Sequence, residues 1–290
     1  MMTEYIKNYY ILIKIFYKIK LFVRIWLLNK TLEVLLISNK YNKRFSLFIL
    51  LWMRKDKPRQ EGMNYWSGGH AQIIAASPGL LEYRQQHLSE SEHSFWPQAE
   101  GLETSIPEDR RVDGIAEVTY QTLFAPLGGT KQTGLAFKDE INVFRRTLMH
   151  MGFPFSSRWY YTENLTETQL RDVIFFRRKE GVGSGEFKKF INDVLADQLS
   201  TIPGITELRT QVYLPWNKLT WNTPNVSHDN PKEEHLHASI MLGFKDEAAR
   251  NDFYANVAPK LNDKITAYAS AVHAYHMDKT LPYVLDGKRL

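Results

Sequence analysis

The sequence predicts an α+β fold in which two tandem ferredoxin-like (βαββαβ) units form an intrachain dimeric α/β barrel. Three observations predict it. First, one pattern occurs twice: an apolar run, Arg-Lys, a helical stretch, then Pro-Gly-x-x-Glu-x-Arg. Arg54-Lys55 precedes Pro78-Gly79-Leu80-Leu81-Glu82-Tyr83-Arg84 by 24 residues, and Arg178-Lys179 precedes Pro203-Gly204-Ile205-Thr206-Glu207-Leu208-Arg209 by 25. Second, each copy continues into a strand with period-two alternation and then a second helix. Third, 290 residues with 43% hydrophobic content hold the core of one large or two small domains. A βαββαβ sheet is covered by helices on one face only. Two such units in one chain bury their bare faces against each other and leave a cavity between the sheets.

The elements follow in order. Residues 1–45 form an AT-rich leader, expected to lie outside the fold: they lack Ala, Gly, Pro, Asp, Gln and His, and Ile, Lys, Asn, Tyr and Phe supply 26 of the 45. Lys14, Lys18, Lys20, Arg24 and Lys30 interrupt every apolar run before a membrane span is reached. A basic helix on a membrane surface and an over-extended start are the competing readings of the leader. Unit 1 covers 46–163. It opens on the apolar strand 48–53, continues into a helix carrying Tyr65, Trp66, His70, Ile73 and Ile74, and reaches Pro78-Gly79. A strand follows with Ala116, Val118 and Tyr120 on one face. Leu135, Ile141, Phe144, Leu148 and Met151 then recur at helical spacing, stopped by Gly152 and Pro154, and the last strand is expected near 158–161. A junction is placed at 163–168. Unit 2 covers 168–290, with an apolar strand over 173–176, a strand in which Leu236, Ala238, Ile240, Leu242 and Phe244 alternate, a helix from 247 interrupted before Pro259, and a closing strand over 271–277.

Composition removes several functions. The chain has no cysteine, which excludes a disulfide scaffold, a thiolate nucleophile and Cys-ligated metal. The net charge of +5 is misleading, because the leader alone carries +7 and the remaining residues −2. The body therefore shows no electrostatic footprint for nucleic acid. Gly181-Val182-Gly183-Ser184-Gly185 lacks the Lys-Ser/Thr of a phosphate loop, and no Gly-x-Ser-x-Gly elbow occurs. No cofactor, a cytoplasmic location, no stable membrane span and a monomer or weak homodimer are the expectations.

The stretch from Phe48 to Arg84, with Tyr65-Trp66, His70-Ala71 and Pro78-Gly79-Leu80-Leu81-Glu82-Tyr83, resembles the EthD family of the dimeric α/β-barrel group. The resemblance covers 46–163. Over 168–290 it rests on the repeat, where Ile191 and Leu195 stand at the positions of Trp66 and His70. It implies a small hydrophobic or aromatic substrate and a role in degradation or polyketide-type dehydration.

Candidate site residues follow from pattern. Trp66 and His70, four apart, share a helix face with Ile73 and Ile74, so an imidazole is set among apolar groups and is expected to stay neutral, as a general base requires. The other reading is a histidine tying the helix to the sheet. Alternation puts Ile115, Glu117 and Thr119 toward the cavity. Glu117 then acts as base or orients an imidazole, or is a strand carboxylate bonded to Arg84 or Arg158. His235, His237, Ser239 and Met241 point the same way, as do His273 and Tyr275. His235-x-His237 with His273 or Glu233 is a possible metal set. The segment 89–111 and the loop 215–230, with Trp216, Trp221 and His228, are long enough to act as lids or to pack on the rim. The expected function is an enzyme of the lyase, isomerase or oxidoreductase type acting on a small apolar or aromatic carbonyl compound by proton transfer (dehydration, cyclisation or isomerisation) or cofactor-free oxidation. His70 and Glu117 would be catalytic, and Tyr65, Trp66, Tyr120, His237, His273 and Tyr275 would bind substrate. The rival is a non-catalytic ligand-binding or accessory protein of a degradation pathway.

Overall fold

Strand pairing repeats one topology twice. The computed structural model describes residues 40–161 and 168–290. In the first unit β2 (Phe45–Met53), β3 (Leu80–His93), β4 (Gly114–Tyr120) and β5 (Phe144–Gly152) lie in the order β3-β4-β2-β5. In the second, β7 (Leu170–Arg178), β8 (Ile205–Val212), β9 (Ala238–Phe244) and β10 (Ala269–Leu285) lie as β8-β9-β7-β10. The seventeen residues of β10 pair first with β7 and then, antiparallel, with β3 of the other unit. On the far side β6 (Ser157–Tyr160) pairs with β8, and β1 (Tyr41–Lys43) edges β6. Leu214 N donates to Met151 O and Val212 N to Ser156 O, so the chain after β5 closes the barrel onto unit 2. A short β11 (Lys288–Arg289) returns on β10.

Helices cover the outside. In unit 1, α1 runs Arg59–Tyr65, turns π-helical over Trp66–His70 with a kink at Gly68, and resumes over Ala71–Ala75; α2 is Thr130–Glu140. In unit 2, α3 comprises Ser184–Lys189, a π turn at Phe190–Leu195 and Ala196–Ser200, and α4 comprises Glu247–Asp252, a π turn at Phe253–Val257 and Ala258–Tyr268. Among the described residues, no helix is long and apolar enough to cross a membrane.

Three apolar cores result. Met63, Trp66, Ala71, Ala116, Val118 and Phe144 fill the space between the unit 1 helices and sheet. Phe187, Phe190, Ile191, Ile240, Phe253 and Leu261 do the same in unit 2. Phe48, Leu50, Trp52, Leu88, Ile115, Leu148, Val173, Phe175, Met241 and Tyr275 fill the barrel interior. This explains why β2 reads Phe-Ser-Leu-Phe-Ile-Leu-Leu-Trp-Met without alternation: both its faces are buried, and every residue in it is below the surface. Each such large side chain contributes about 1.5–3 kcal/mol on burial.

The repeated Pro-Gly marks the turn from the first helix of each unit into its second strand. Gly79 and Gly204 have φ of +72° and +87°, and a Cβ would lie 2.6 Å from Ala125 Cβ in the first unit and 2.5 Å from Ala249 Cβ in the second. Left-handed backbone and close approach to the following helical segment both demand glycine.

Three expectations need correction. The leader boundary at 45 is too late, because Tyr41 pairs with Tyr160 and Phe45 is buried against Tyr120 and Phe153; residues 1–39 lie outside the described residues, as does most of the 163–168 junction. The helix read through Met151 ends at Glu140, and Phe144, Leu148 and Met151 belong to β5. Their spacing suits either period, and burial on both faces of β5 removed the alternation that would have identified a strand. The strand expected near 158–161 is β6, which continues beyond the fourth strand of unit 1.

Candidate active site in the barrel

The barrel interior has two ends of different chemistry. At one end the two Glu-x-Arg repeats meet. Arg84 Nη2 contacts Glu82 Oε1 at 2.6 Å and Arg84 Nη1 contacts Glu207 Oε1 at 3.5 Å. Reciprocally, Arg209 Nε contacts Glu207 Oε1 at 2.7 Å and Arg209 Nη1 contacts Glu82 Oε2 at 2.5 Å. Arg171 adds a 2.7 Å contact to Glu207. Glu117 sits in this plug, accepting from Arg209 Nη1 at 3.0 Å and from Gln86 Nε2 at 2.9 Å. Burial works to raise the Glu207 carboxyl, but Arg209, Arg171 and Arg84 overcome it and hold it at about 2. Burial likewise opposes charge on Arg209, yet Glu117, Glu207 and Glu82 keep it protonated well above its ordinary value. Charges this deep persist because each has partners.

The other end holds a cavity lined by Leu50, Trp52, Leu148, Phe175 and Tyr275 below, and by Arg110, Val112, Asn230, Glu234 and Leu236 at its mouth. Its free volume is about 30 Å³, and the wider space of about 450 Å³ around it includes open solvent. His150 and His273 enter it from opposite strands, β5 and β10. The His150 ring is 1% exposed, stacks on Tyr213 with centroids 4.5 Å apart, and among the described residues has no hydrogen-bond partner on either nitrogen. Burial pushes its pKa down to about 3, and His235 and His237 push the same way. A neutral imidazole therefore offers one donor and one acceptor to the cavity. His273 Nε2 lies 3.1 Å from Glu103 Oε1. That hydrogen bond, against some burial and with help from Arg177, pulls the Glu103 carboxyl down to about 2. A carboxylate-oriented imidazole is the arrangement of a general base.

The long connections dock across the unit boundary. In the segment after β3, Trp96 Nε1 donates to Asn262 of α4, and Glu103 bridges to Ala271. In the loop before β9, Trp221 Nε1 and the Thr223 hydroxyl donate to Glu140 of α2 at 2.9 and 2.5 Å. Each unit's loop is thus held by the other unit, and the cavity mouth is built from both.

The residues singled out from sequence fall into four places. Tyr65, Trp66, His70 and Tyr120 lie on the outer, helix-covered side of unit 1. His70 Nδ1 is 2.8 Å from Asp139 Oδ2, the Tyr65 hydroxyl donates to Asp139 Oδ1 at 2.7 Å, Trp66 stacks on His87, and Tyr120 stacks on Phe45. Glu117 is inside the barrel but in the ionic plug, on the opposite face of the sheet from His70. The two do not meet: Asp139 orients His70, and Arg209 rather than Arg84 or Arg158 holds Glu117. His273 and Tyr275 line the cavity. His237 precedes β9, where strand alternation has not begun. Its Nδ1 accepts from Arg178 N and its ring meets Phe187, while Leu236 turns into the cavity instead. His235 Nε2 bonds to Asn230 O, so the two histidines are engaged separately. Among the described residues, no group of three or more His, Cys, Asp or Glu is disposed to hold a metal ion.

His150 and Glu103 were not found from sequence. His150 falls in the stretch read as helix: Arg146, Leu148 and His150 share one side of β5, but burial on both faces leaves no alternation to show it. Glu103 falls in an irregular segment with no period at all.

No protein-family model matches the chain, and no curated protein matches it. The solved structures that resemble it in shape include the following two. One is an anthrone oxidase-like protein, 10% identical, with a TM-score of 0.52 over 88% of this chain and 98% of that one. The other is a candidate monooxygenase from Fusobacterium nucleatum subsp. nucleatum, 9% identical, with a TM-score of 0.52 over 86% of this chain and all of that one. With the strand order above, these likenesses establish the architecture as a dimeric α/β barrel of ferredoxin-like units, here made by a single chain.

Proposed function

We propose that the chain is an EthD-like enzyme that removes a proton from carbon next to a carbonyl in a small, largely apolar or aromatic compound bound in the barrel cavity. The observation that carries this reading is the pairing, in one apolar cavity, of an unpartnered neutral imidazole at His150 with the His273–Glu103 dyad. His273 accepts the proton and Glu103 stabilises the imidazolium that forms. His150 is too weak a base for that step, but its N–H donates to the carbonyl oxygen as negative charge develops there, as neutral imidazoles do in apolar sites. The resulting enolate can lose a leaving group or react with dioxygen. In the second case a methylene becomes a carbonyl and the other oxygen atom leaves as water. The names of the two structural neighbours favour the oxidative branch.

Anthrone, a tricyclic ketone with an acidic methylene, is the probe. Under argon in D₂O, the protein should accelerate deuterium entry at the methylene. In air it should convert anthrone and one dioxygen to anthraquinone and water. His273→Gln should slow exchange by about 10²–10⁴-fold and abolish the ionisation in its pH profile. His150→Phe should slow it by about 10²–10³-fold without removing that ionisation. Exchange and oxidation no faster than in buffer would overturn the reading, and tight anthrone binding without either would establish a binding protein in its place.

A further inference from the structure

We infer that the substrate of this cavity carries an anionic oxygen group, a carboxylate or an ionised phenol, that docks on Arg146 and Arg177. The inference rests on the barrel cavity being the substrate site. Arg146 stands beside the cavity lining rather than in it, on β5 two residues before Leu148 and four before His150, directly paired with the lining Trp52 of β2. Its guanidinium lies over the Trp52 ring, 5.4 Å from the centroid. Among the described residues its buried Nε and Nη1 have no hydrogen-bond partner, and the carboxylate it approaches, Asp229, is 4.0 Å away and largely exposed. Arg177 occupies the position in β7 that Trp52 occupies in β2. It lines the cavity, spends its terminal nitrogens on Glu103 and Glu234, and leaves Nε buried and unpaired.

Buried donors on a cation are costly to leave unmade, at a level well above that of neutral groups. Arg146 shows the strain directly: burial pushes it below its ordinary value, Arg110 and Arg145 push the same way, and Asp229 and Asp109 only partly offset them. The arrangement is also radial. Side chains of Arg146, Arg177 and Arg110 are 11, 15 and 18% exposed, whereas those of Asp229, Asp109 and Glu103 are 68, 65 and 41% exposed. Among the described residues the cavity lining holds Arg110 and Arg177 against a single carboxylate, Glu234, which is 27% exposed and paired with Arg177, so a ligand in the cavity meets net positive charge. The unpartnered Trp52 Nε1 adds a neutral donor beside them. The planar guanidinium fork matches a carboxylate in two directions at once. An anionic group held there would leave the apolar remainder of the ligand against Phe175 and Tyr275, with a carbonyl within reach of His150.

A matched pair tests this without needing turnover. 2-Naphthoate and 2-naphthamide differ in charge and little in shape, and binding of each is followed by calorimetry and by quenching of tryptophan fluorescence. The carboxylate should bind at least tenfold tighter than the amide to the wild-type chain, and the preference should shrink as salt is raised. Arg146→Met should reduce it to less than threefold, Arg177→Gln should weaken it in part, and His70→Gln, on the outer side of unit 1, should leave it intact. Should Arg146→Met not fold, Arg146→Lys keeps the charge but loses the fork, and an unchanged preference there would overturn the bidentate role. Equal binding of acid and amide overturns the anion site while leaving the cavity reading standing. Binding of neither overturns both, and a preference that survives both arginine substitutions assigns the charge elsewhere and overturns this one.

Discussion

Glu140 couples the loop before β9 to pH in a way that can be measured as stability. Its carboxyl is buried under α2, where it accepts from Trp221 Nε1 and the Thr223 hydroxyl. Burial raises its pKa from 4.5 to about 7, with Thr223, His70, Trp221 and Thr147 pulling it partly back. Below pH 4.5 the carboxyl is protonated in the folded and unfolded chain alike and contributes no pH dependence. Between 4.5 and about 7 the unfolded chain releases the proton while the folded chain retains it, so stability falls as pH rises. Above that window both are ionised and the loss is complete, at about 3 kcal/mol. Glu140→Gln keeps an acceptor for Trp221, lets the Thr223 hydroxyl rotate to accept, and never ionises. It should match the wild type near pH 4 and exceed it by about 3 kcal/mol at pH 8. Urea unfolding at pH 4, 6 and 8, with unchanged denaturant slopes, reads the difference. Parallel wild-type and Glu140→Gln stabilities across that range would refute the buried-proton argument, and a Glu140→Gln protein less stable at pH 8 would show that the ionised form is the one the loop requires.

Other consequences of the packing are equally direct. His70→Gln should cost about 1–2 kcal/mol through the lost bond to Asp139 and leave anthrone exchange within twofold, measured by denaturation and by deuterium entry. Gly114→Ala should cost about 1–3 kcal/mol, because a Cβ there runs into the Trp66 indole, and Trp66→Phe should recover part of that loss in the double variant. Arg209→Met should cost about 3–5 kcal/mol, since it strands Glu82, Glu117 and Glu207 in the plug with only Arg84 and Arg171 to answer them. A thermal melt of Arg209→Met within about two degrees of the wild type would contradict the account of the plug.

The fold was legible where local and repeated signals agree. The doubled Pro-Gly-x-x-Glu-x-Arg identified two units, because a left-handed glycine against Ala125 or Ala249 is a constraint that each unit must satisfy for itself. Alternation in β4 and β10 correctly separated the two faces of those strands, putting Ile115 and Glu117 apart from Ala116 and Val118, and His273 and Tyr275 apart from Val272 and Ala274. It failed in β5, where Phe144, Leu148 and Met151 also fit a helical period, and at His237, where the strand has not yet begun. The candidate site was legible only in part for a different reason. A helix-borne imidazole among apolar residues describes His70 well, but periodicity does not say whether the apolar surroundings are a cavity or the seam between helix and sheet. That distinction depends on which face of the sheet α1 covers, a property of the closed barrel and not of any segment.

The closed barrel also accounts for what duplication within one chain permits. Both junctions between units, β10 with β3 and β6 with β8, are antiparallel. That pairing places the pseudo-two-fold axis along the barrel, so equivalent residues of the two units arrive at the same end. At the plug the equivalence is kept: Glu82 and Arg84 face Glu207 and Arg209, and each arginine answers both glutamates. At the cavity it is broken. Register places Tyr275 where His150 stands in the other unit, His273 opposite Leu148, Arg177 opposite Trp52, and Ala271 opposite Arg146. Two identical chains would give every group in duplicate, with like charges facing each other across an apolar space at a cost of several kcal/mol. A single duplicated chain avoids this by placing His273 in one unit and His150 in the other, so that in the proposed reaction an asymmetric substrate would meet two different histidines.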